Sequence, residues 1–281
     1  MKNSKSVEHI NIFKFKLKLG EKMKLNFLGT GGGRFATISQ KRMTGGFRID
    51  NIDNKNMHID PGPGALVRSH QYGLNPRKLN MILVSHCHTD HYTDAEVLIE
   101  AMTQGMTKKT GNVIASQSVL EGYDDIGPSI SKYHQSKPEV SLLKAGDEVK
   151  IDDITIKGTR TVHGDPTCVG FNINYNDFTL SYTADTEYFP ELHEDHKGSD
   201  VLIGCVIKEG ERKIKGHLRT MDFEKLIEEV QPKVAIMTHL GVNLIMNNPF
   251  QNTRNITENT GIRTIAATDG LTINLDQFLN S

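Results

Sequence analysis

The sequence has few cysteines and almost no net charge, and both shortages limit what the protein can be. Its three cysteines lie far apart and form no Cys-x-x-Cys pair, which is typical of reduced thiols in a cytosolic enzyme and argues against a disulfide framework. The formal net charge of −1 at pH 7 argues against an extended nucleic-acid surface, although it leaves room for a local basic patch. The cysteines are Cys87, Cys168 and Cys205.

The sequence also lacks long apolar stretches. No run of apolar residues is long enough to cross a bilayer, and the first residues lack the apolar core of a signal peptide. We therefore expect a cytoplasmic protein without a membrane partner. With 37% hydrophobic residues among 281, the chain can form one large domain at residues 23–281, after a Lys-rich extension at residues 1–22.

What the sequence does contain is a dense group of metal-binding side chains, in the segment HCHTDH at residues 86–91. The apolar run MILV at residues 81–84, separated from it only by Ser85, predicts a buried strand, and strand ends are where α/β sheets usually place their chemistry. Alternate side chains of an extended segment share one face, so His86 and His88 can reach one ion together. Asp90 and His91 follow the turn and face a second position. Imidazole suits zinc, iron or manganese, and a carboxylate widens the choice towards harder ions.

Three further candidates stand at the ends of predicted strands. His163 and His239 each follow a strand pattern, and Asp185 follows a pattern that ends at Thr183. A single histidine is more often a surface or core residue, but together these residues complete a set of the right types for two ions. A carboxylate such as Asp185 can bridge two ions that lie about 3.5–4 Å apart. His217 is a further candidate, as a proton donor.

Two other features can each be interpreted in two ways. A glycine run after the first strand, which includes Gly31 and Gly32, offers backbone N–H groups for an anion nest, whereas a tight turn explains it equally well. Arg34 directly after the run faces either the site or the solvent. Asp60 ends a predicted strand, where it either braces the metal-binding loop by hydrogen bonds or serves only the turn.

Short strand and helix patterns fill the rest of the chain in two mixed halves, without a short repeat or a linker. We therefore expect an α+β domain of two packed sheets with helices outside. Within it, Thr93 and Glu96 predict a capping box ahead of a helix. The runs at 262–267 and 271–275 predict a closing hairpin around an Asp-Gly turn.

The candidate residues together resemble the motif set of the metallo-β-lactamase-fold hydrolases. The resemblance extends from Met23 to Leu275 and implies a four-layer αββα sandwich with the metals at one edge of the two sheets. Within the superfamily, the chain is most similar to the branch of ribonuclease Z and the phosphoribosyl cyclic phosphodiesterases. The opening FLGTG at 27–31 matches that branch, as does Gly216-His217 ahead of Thr238-His239.

The resemblance also implies the metal ligands and the catalytic residues. It implies two divalent ions bridged by Asp185, with Zn²⁺ as the first expectation and Mn²⁺ or Fe²⁺ as alternatives. His217 takes the place of the catalytic histidine of the branch, and Asp90 is counted with it as catalytic. The implied ligands of one ion are His86, His88 and His163, and those of the other are Asp90, His91 and His239.

Three departures from the branch bear on the substrate. Ribonuclease Z of the exosite type has a long tRNA-binding arm between the equivalents of His163 and Asp185, but here the interval is only 22 residues. The His-Glu-Ala-Thr segment of ribonuclease Z has no match, and Ile203–Val206 stands near its place. The cysteine-rich zinc site of some cyclic phosphodiesterases is also missing. The short interval is like that of the phosphoribosyl cyclic phosphodiesterases, so the resemblance favours a substrate other than tRNA.

These expectations point to a dinuclear metal-dependent phosphodiesterase. We expect small cyclic or single-stranded phosphodiesters, including short RNA, to be cleaved by a metal-bridging hydroxide with His217 as the general acid. Three alternatives stay open: a ribonuclease Z-type tRNA endonuclease, a glyoxalase II-like thioesterase, and a metal-binding protein without catalysis. A homodimer is compatible with the sequence, which leaves the oligomeric state open.

Overall fold

Two β-sheets form the centre of the fold. The computed structural model describes residues 22–279, so the predicted extension at residues 1–22 lies outside it apart from Lys22. The described strands are β1 Lys24–Phe27, β2 Phe47–Ile52, β3 Lys55–Ile59, β4 Met81–Val84, β5 Asn112–Ala115, β6 Glu139–Leu142, β7 Glu148–Ile151, β8 Ile154–Thr159, β9 Gly170–Tyr175, β10 Phe178–Tyr182, β11 Val201–Lys208, β12 Leu218–Arg219, β13 Val234–Thr238, β14 Thr264–Ala266 and β15 Thr272–Asn274.

Short α-helices connect and flank these strands. The longest described helix has 12 residues, and no described helix combines the length and the apolar composition that a membrane span requires. The helices are α1 Gly33–Ser39, α2 Ala65–Gln71, α3 Thr89–Tyr92, α4 Ala95–Met102, α5 Gln117–Leu120, α6 Lys132–Gln135, α7 Leu192–His196, α8 Thr220–Val230, α9 Val242–Met246 and α10 Pro249–Thr260, with 3₁₀ turns at Pro76–Lys78 and Leu275–Phe278.

Each sheet combines an antiparallel half with a parallel half. The first sheet has the order β15-β1-β2-β3-β4-β5-β6, with parallel pairing from β3 to β6. The second has the order β14-β13-β11-β10-β9-β8-β7, with parallel pairing from β14 to β10, and β12 pairs with β11 outside this path. Because neighbouring parallel strands end at the same edge of a sheet, the loops that follow them are brought together there.

Strand β4 shows why the metal-binding segment has a rigid support. Its four apolar residues are all buried, and it pairs in parallel with β3 on one side and β5 on the other. Met81 and Leu83 face the core between the sheets, whereas Ile82 and Val84 face the helices outside. A central strand that is covered on both faces needs this continuous apolar sequence.

Three apolar cores divide the fold into four layers. The core between the sheets contains aromatic residues of both, including Phe47 and Phe171. Outside the first sheet, a second core includes Leu98 of α4 and Val119 of α5. Outside the second sheet, a third core includes Phe223 of α8. The resulting order of helix, sheet, sheet and helix confirms the predicted α+β four-layer sandwich.

The predicted closing hairpin is wrong. Strand β14 pairs in parallel with β13 in the second sheet, whereas β15 pairs antiparallel with β1 in the first. The Asp-Gly turn therefore marks a crossing between the sheets. Asp269 accepts hydrogen bonds from the N–H groups of Thr30 at 2.9 Å and Met43 at 2.8 Å, which hold the crossing in place. A turn dipeptide predicts that the chain changes direction, but not which strand each arm will pair with.

The predicted capping box is also wrong. A separate short helix, α3, precedes α4, and the hydroxyl of Thr93 at its end donates to the carbonyl of Thr89. Asp94 is the N-cap of α4, and Glu96 accepts a hydrogen bond from the N–H of Ser131 at 2.7 Å. The pattern fails here because Thr93 is already engaged with the helix before it.

A buried ion pair in the first sheet gives a test of the packing. Asp50 accepts hydrogen bonds from Arg48 Nε at 2.7 Å and from Asn26 Nδ2 at 2.8 Å. Asp50→Ala would leave the buried guanidinium of Arg48 without its carboxylate. We expect the free energy of unfolding, measured in urea, to fall by about 3 kcal/mol.

The matched control is a surface ion pair. Asp152 lies 2.6 Å from Lys55 Nζ, but its side chain is 69% exposed. Asp152→Ala should change the free energy of unfolding by less than about 1 kcal/mol, since exposed pairs contribute little. Equal losses in the two variants would contradict the assignment of Asp50 to a buried, stabilising network.

Candidate metal centre

Loops from both sheets meet at one edge of the sandwich. In the first sheet, Asp60 directly follows β3, and the segment 86–91 begins just after the neighbouring parallel strand β4. In the second sheet, Asp185 lies just beyond β10, and His239 directly follows β13. His163 joins them from the loop after β8. All seven predicted ligands lie within this one region.

Three histidines form the first cluster of ligand atoms. His88 Nδ1 lies 2.9 Å from His86 Nε2 and 3.0 Å from His163 Nε2. Three ring nitrogens that converge on one point can hold a single cation. Imidazole nitrogen is a common ligand of zinc and of other transition metals.

A second cluster lies beside the first. His239 Nε2 is 3.2 Å from Asp90 Oδ2 and 3.2 Å from His91 Nε2. Asp185 stands between the two clusters, because its Oδ1 is 3.3 Å from His239 Nε2 and its Oδ2 is 3.8 Å from His163 Nε2. One carboxylate can therefore reach ligand atoms of both groups.

The chemistry of these donors fits two divalent cations. Asp185 Oδ1 and His239 Nδ1 are buried and have no hydrogen-bond partner among the described residues. A buried carboxylate oxygen without a partner is costly, and a cation in the gap would satisfy it. A mixed set of imidazole and carboxylate donors suits Zn²⁺, Mn²⁺ or Fe²⁺.

Asp60 supports the second cluster through a hydrogen bond to His91, on the side of the ring away from the ligand atoms. Its Oδ2 accepts hydrogen bonds from His91 Nδ1, from Ser85 Oγ and from the hydroxyl of Tyr182, at 2.7–2.8 Å, and its Oδ1 accepts one from Ser85 N–H at 2.7 Å. A carboxylate accepts here, so Nδ1 of His91 carries a proton and Nε2 is the ring nitrogen that faces the cluster. Asp60 thus orients His91 and supports the metal-binding loop.

Two histidines of the first cluster are oriented in the same way. His163 Nδ1–H donates to the carbonyl of Gly216 at 2.8 Å. Ser85 Oγ donates to Asp60 and so accepts from His86 Nδ1–H, at 3.0 Å. Both rings therefore present an unprotonated Nε2 to the cluster, the form that binds a metal.

The charges around the site favour positive ions. Burial lowers the pKa of His86 well below its usual range and that of His163 to about 4, so both rings are neutral at pH 7. Burial would also lower the pKa of His91, but the carboxylates of Asp185 and Asp90 outweigh it and hold that pKa well above its usual range. The carboxylates of the second cluster therefore favour positive charge at this position, which a bound cation would supply.

His217 lies beside the bridge between the clusters. Its Nε2 is 3.3 Å from Asp185 Oδ2, and its Nδ1–H donates to the carbonyl of Lys215 at 3.0 Å. Burial would lower the pKa of His217, but the hydrogen bond to Asp185, the negative charges of Asp185 and Asp90 and the hydrogen bond to the carbonyl of Lys215 together raise the pKa. The side chain is 19% exposed, so it borders both the site and the solvent.

The glycine run packs against the site in a way that the sequence did not predict. The N–H groups of Gly31 and Gly32 donate to the carbonyls of Met43 and Leu240. The prediction that these two N–H groups form an anion nest is therefore wrong, because both already donate to backbone carbonyls. Gly32 and Arg34 line the cavity, so their contact with a substrate stays a prediction.

Backbone strain is concentrated at the same edge. Asp60, Ala184 and His239 have φ angles of 51°, 51° and 57°, in the left-handed region that side chains disfavour. Such conformations cost about 1–3 kcal/mol each and persist where the surrounding structure imposes them. The directions of Asp60, Asp185 and His239 are therefore set by packing rather than by local preference.

Two carboxylates that position the site were not predicted from the sequence. Asp165 is buried and accepts hydrogen bonds from Cys87 N–H at 3.0 Å and Thr167 N–H at 2.9 Å, which ties the loop of His163 to the segment 86–91. Glu187 accepts a hydrogen bond from Gly216 N–H at 2.8 Å and so fixes the loop that carries His217. The sequence Asp-Pro-Thr, a turn pattern directly after Gly164, was the available signal for the first.

The site opens into a cavity of about 890 Å³. This size is in the range of pockets for small molecules. Besides the site residues, its lining includes three cationic side chains, which favour an anionic substrate. They are Arg34, Lys208 and Lys215.

Comparison with known proteins agrees with this arrangement. Residues 55–240 match the family described as the beta-lactamase superfamily domain. An uncharacterized protein of Methanocaldococcus jannaschii is 46% identical over 257 residues, which cover 90% of this chain and 96% of that protein. Ribonuclease Z of Mycolicibacterium gilvum is 22% identical, over 88% of this chain and 90% of the enzyme.

Solved structures share the fold. The metallo-beta-lactamase fold protein YhfI from Bacillus subtilis has a TM-score of 0.74 and 20% identity, with 90% of this chain and 99% of that one covered. A diphosphatase of the PhnP family has a TM-score of 0.64 and 18% identity, with 90% and 97% covered. From the family match and the shared architecture, we conclude that the chain belongs to the beta-lactamase superfamily, as a hydrolase of the metallo-β-lactamase fold.

Proposed function

We propose that the protein is a dinuclear metal-dependent phosphodiesterase that hydrolyses small cyclic or single-stranded phosphodiesters. One observation carries the proposal: the carboxylate of Asp185 lies within 3.3–3.8 Å of histidines from both clusters and of His217. Two ion positions joined by a carboxylate, with a proton donor beside them, suit the hydrolysis of a phosphodiester.

Each cluster would hold one ion, and Asp185 would contribute to both. Divalent ions such as Zn²⁺, Mn²⁺ or Fe²⁺ would, when bound, activate water and offset the charge of the phosphate. Asp60 keeps His91 in the tautomer that binds a metal. The proposed ligands are His86, His88 and His163 for one ion, Asp90, His91 and His239 for the other, and Asp185 for both.

His217 would protonate the leaving alkoxide. Its Nδ1–H is held by the carbonyl of Lys215, so only Nε2 can give a proton towards the cavity. His217 lies within ligand distance of His163 and Asp185, but each cluster has three ligands of its own and a share of Asp185 without it. A general acid in such a position typically contributes about 10²–10⁴-fold to the rate.

An anionic substrate fits the rest of the cavity. Arg34, Lys208 and Lys215 are part of its lining, outside the two clusters. Two of the similar proteins, a ribonuclease and a diphosphatase, have names that denote cleavage of bonds at phosphate groups. Both facts support a phosphodiester as the substrate.

The chain between His163 and Asp185 favours a small substrate over tRNA. Strands β9 and β10 pair with each other in this interval and are built into the second sheet. The few remaining residues form the loop that contains Asp165 and the turn between the strands. The described interval therefore has no segment that could project as a tRNA-binding arm.

A thioesterase and a metal-binding protein without catalysis fit the site less well. A thioesterase releases a thiolate, which leaves without a proton, and so has no need of a group such as His217. A protein that only binds metal needs neither His217 nor a cationic cavity. The cytoplasmic location and the homodimer stay predictions.

A substrate panel tests the proposed function. We expect the zinc- or manganese-loaded protein to hydrolyse bis-p-nitrophenyl phosphate and at least one of the cyclic nucleotides, phosphoribosyl cyclic phosphate or short single-stranded RNA. Chelation by EDTA should abolish the activity, and added metal should restore it, because the clusters provide no other electrophile. Efficient, specific 3′-end processing of precursor tRNA, or activity on thioesters alone, would contradict the proposal.

The role of His217 can be separated from metal binding. His217→Ala should keep both metals and lose about 10²–10⁴-fold in rate on a substrate with a poor alkoxide leaving group. With a nitrophenolate leaving group, which departs without a proton, the loss should be much smaller. The measurement is the ratio of the two losses in metal-replete protein.

The control is a histidine with the same type of anchor elsewhere. His193 Nδ1 also hydrogen-bonds a backbone carbonyl, that of Pro190 at 2.9 Å, but it does not line the cavity. His193→Ala should leave both rates unchanged. Equal losses on the two substrates in His217→Ala would mean that His217 positions the substrate or a metal and is not the acid.

A further inference from the structure

Helix α1 exposes two large apolar side chains. Phe35 is 76% exposed and Ile38 is 78% exposed, and a spacing of three residues puts both on one face of the helix. Ala36 is the buried residue of this helix. Single exposed apolar side chains need no explanation in general, but Phe35 lines the cavity of the metal centre, whereas Ile38 does not.

The start of α1 is attached to the metal centre. A Cβ atom on Gly32 would lie 2.1 Å from the ring of His239, so only glycine allows the chain to pass so close. The next residue, Gly33, donates its N–H to Asp90 Oδ2 at 2.7 Å. Phe35 follows two residues later, so its distance from the two clusters is set by these contacts.

The lining of the cavity combines two kinds of surface. Cationic side chains stand at the wall, which suits a phosphate group bound between them and the clusters. Apolar side chains form the rest of the same lining, and they provide no hydrogen-bond donor or acceptor for a sugar or for a second phosphate. The larger of these apolar residues, besides Phe35, are Ile207, Ile214 and Val242.

We propose that Phe35 is a stacking platform for the base of a nucleotide substrate. The inference rests on the proposed phosphodiesterase function and narrows its substrate class to phosphodiesters that carry a nucleobase next to the scissile phosphate. The phosphate lies at the metal centre, and the flat face of the base covers the exposed ring of Phe35. Stacking on an aromatic side chain tolerates every base, so the subsite distinguishes nucleotides from phosphodiesters without a base.

Equilibrium binding to the zinc-loaded protein tests the platform. AMP and ribose 5-phosphate carry the same phosphate and sugar and differ in the base. By calorimetry, we expect AMP to bind at least about 5-fold more tightly than ribose 5-phosphate, the lower range for one stacked base. Phe35→Ala should remove this difference, whereas Phe35→Tyr, which keeps an aromatic ring, should retain it.

Ile38→Ala is the matched control, since it removes an equally exposed side chain from the same face of α1. It should leave the preference for AMP and the hydrolysis of bis-p-nitrophenyl phosphate unchanged. Equal binding of AMP and ribose 5-phosphate by the wild type would overturn the proposal, as would a preference that survives in Phe35→Ala.

Two further measurements distinguish the stacking role of Phe35 from a failure of the proposed phosphodiesterase function and from a subunit contact. Failure of the wild type to hydrolyse any phosphodiester would overturn the proposed function, while the binding comparison would still decide whether Phe35 holds a base. Sedimentation of the wild type and Phe35→Ala tests another occupant of an exposed apolar face, a second copy of the chain. A dimer that dissociates in Phe35→Ala, with nucleotide binding unchanged, would assign Phe35 to a subunit contact and overturn the proposal.

Discussion

The carboxylate of Asp60 connects the two sheets at the edge where the candidate metal centre forms. It accepts hydrogen bonds from Ser85 and His91, which follow a strand of the first sheet, and from the hydroxyl of Tyr182 on the second. Because all these groups are buried, none can exchange its partner for water without a penalty. This one carboxylate therefore fixes the tautomer of a proposed ligand and also the relative position of the loops that supply the others.

The two ligand clusters on either side of Asp185 differ in their charge. Carboxylates contact the second cluster, and neutral imidazoles form the first, so the two positions differ in charge although they lie side by side. Asp185 reaches both, and His217 stands at its outer side towards the cavity. Strained backbone at Asp60, Ala184 and His239 is the cost of directing side chains from separate strands to one place.

The sequence was informative where a local pattern has a direct physical meaning. The buried strand MILV followed by HCHTDH predicted a ligand loop at a strand end, and the structure brings the other proposed ligands to the same edge. The pairing of β14 and β15 with different sheets could not be predicted, because a turn pattern does not identify the partner strands. Asp165 and Glu187 were missed for a similar reason, since their hydrogen bonds are to backbone groups of loops distant in sequence.

The central claim is that one carboxylate serves two metal ions, and metal content tests it most directly. Elemental analysis of the wild-type protein, reconstituted and freed of excess zinc, should find two ions per chain. Asp185→Ala should lose metal at both positions, whereas Asp177→Ala, a change in the exposed turn between β9 and β10, should keep two. An Asp185→Ala protein that retains two ions, or a wild-type protein that binds only one, would contradict the account.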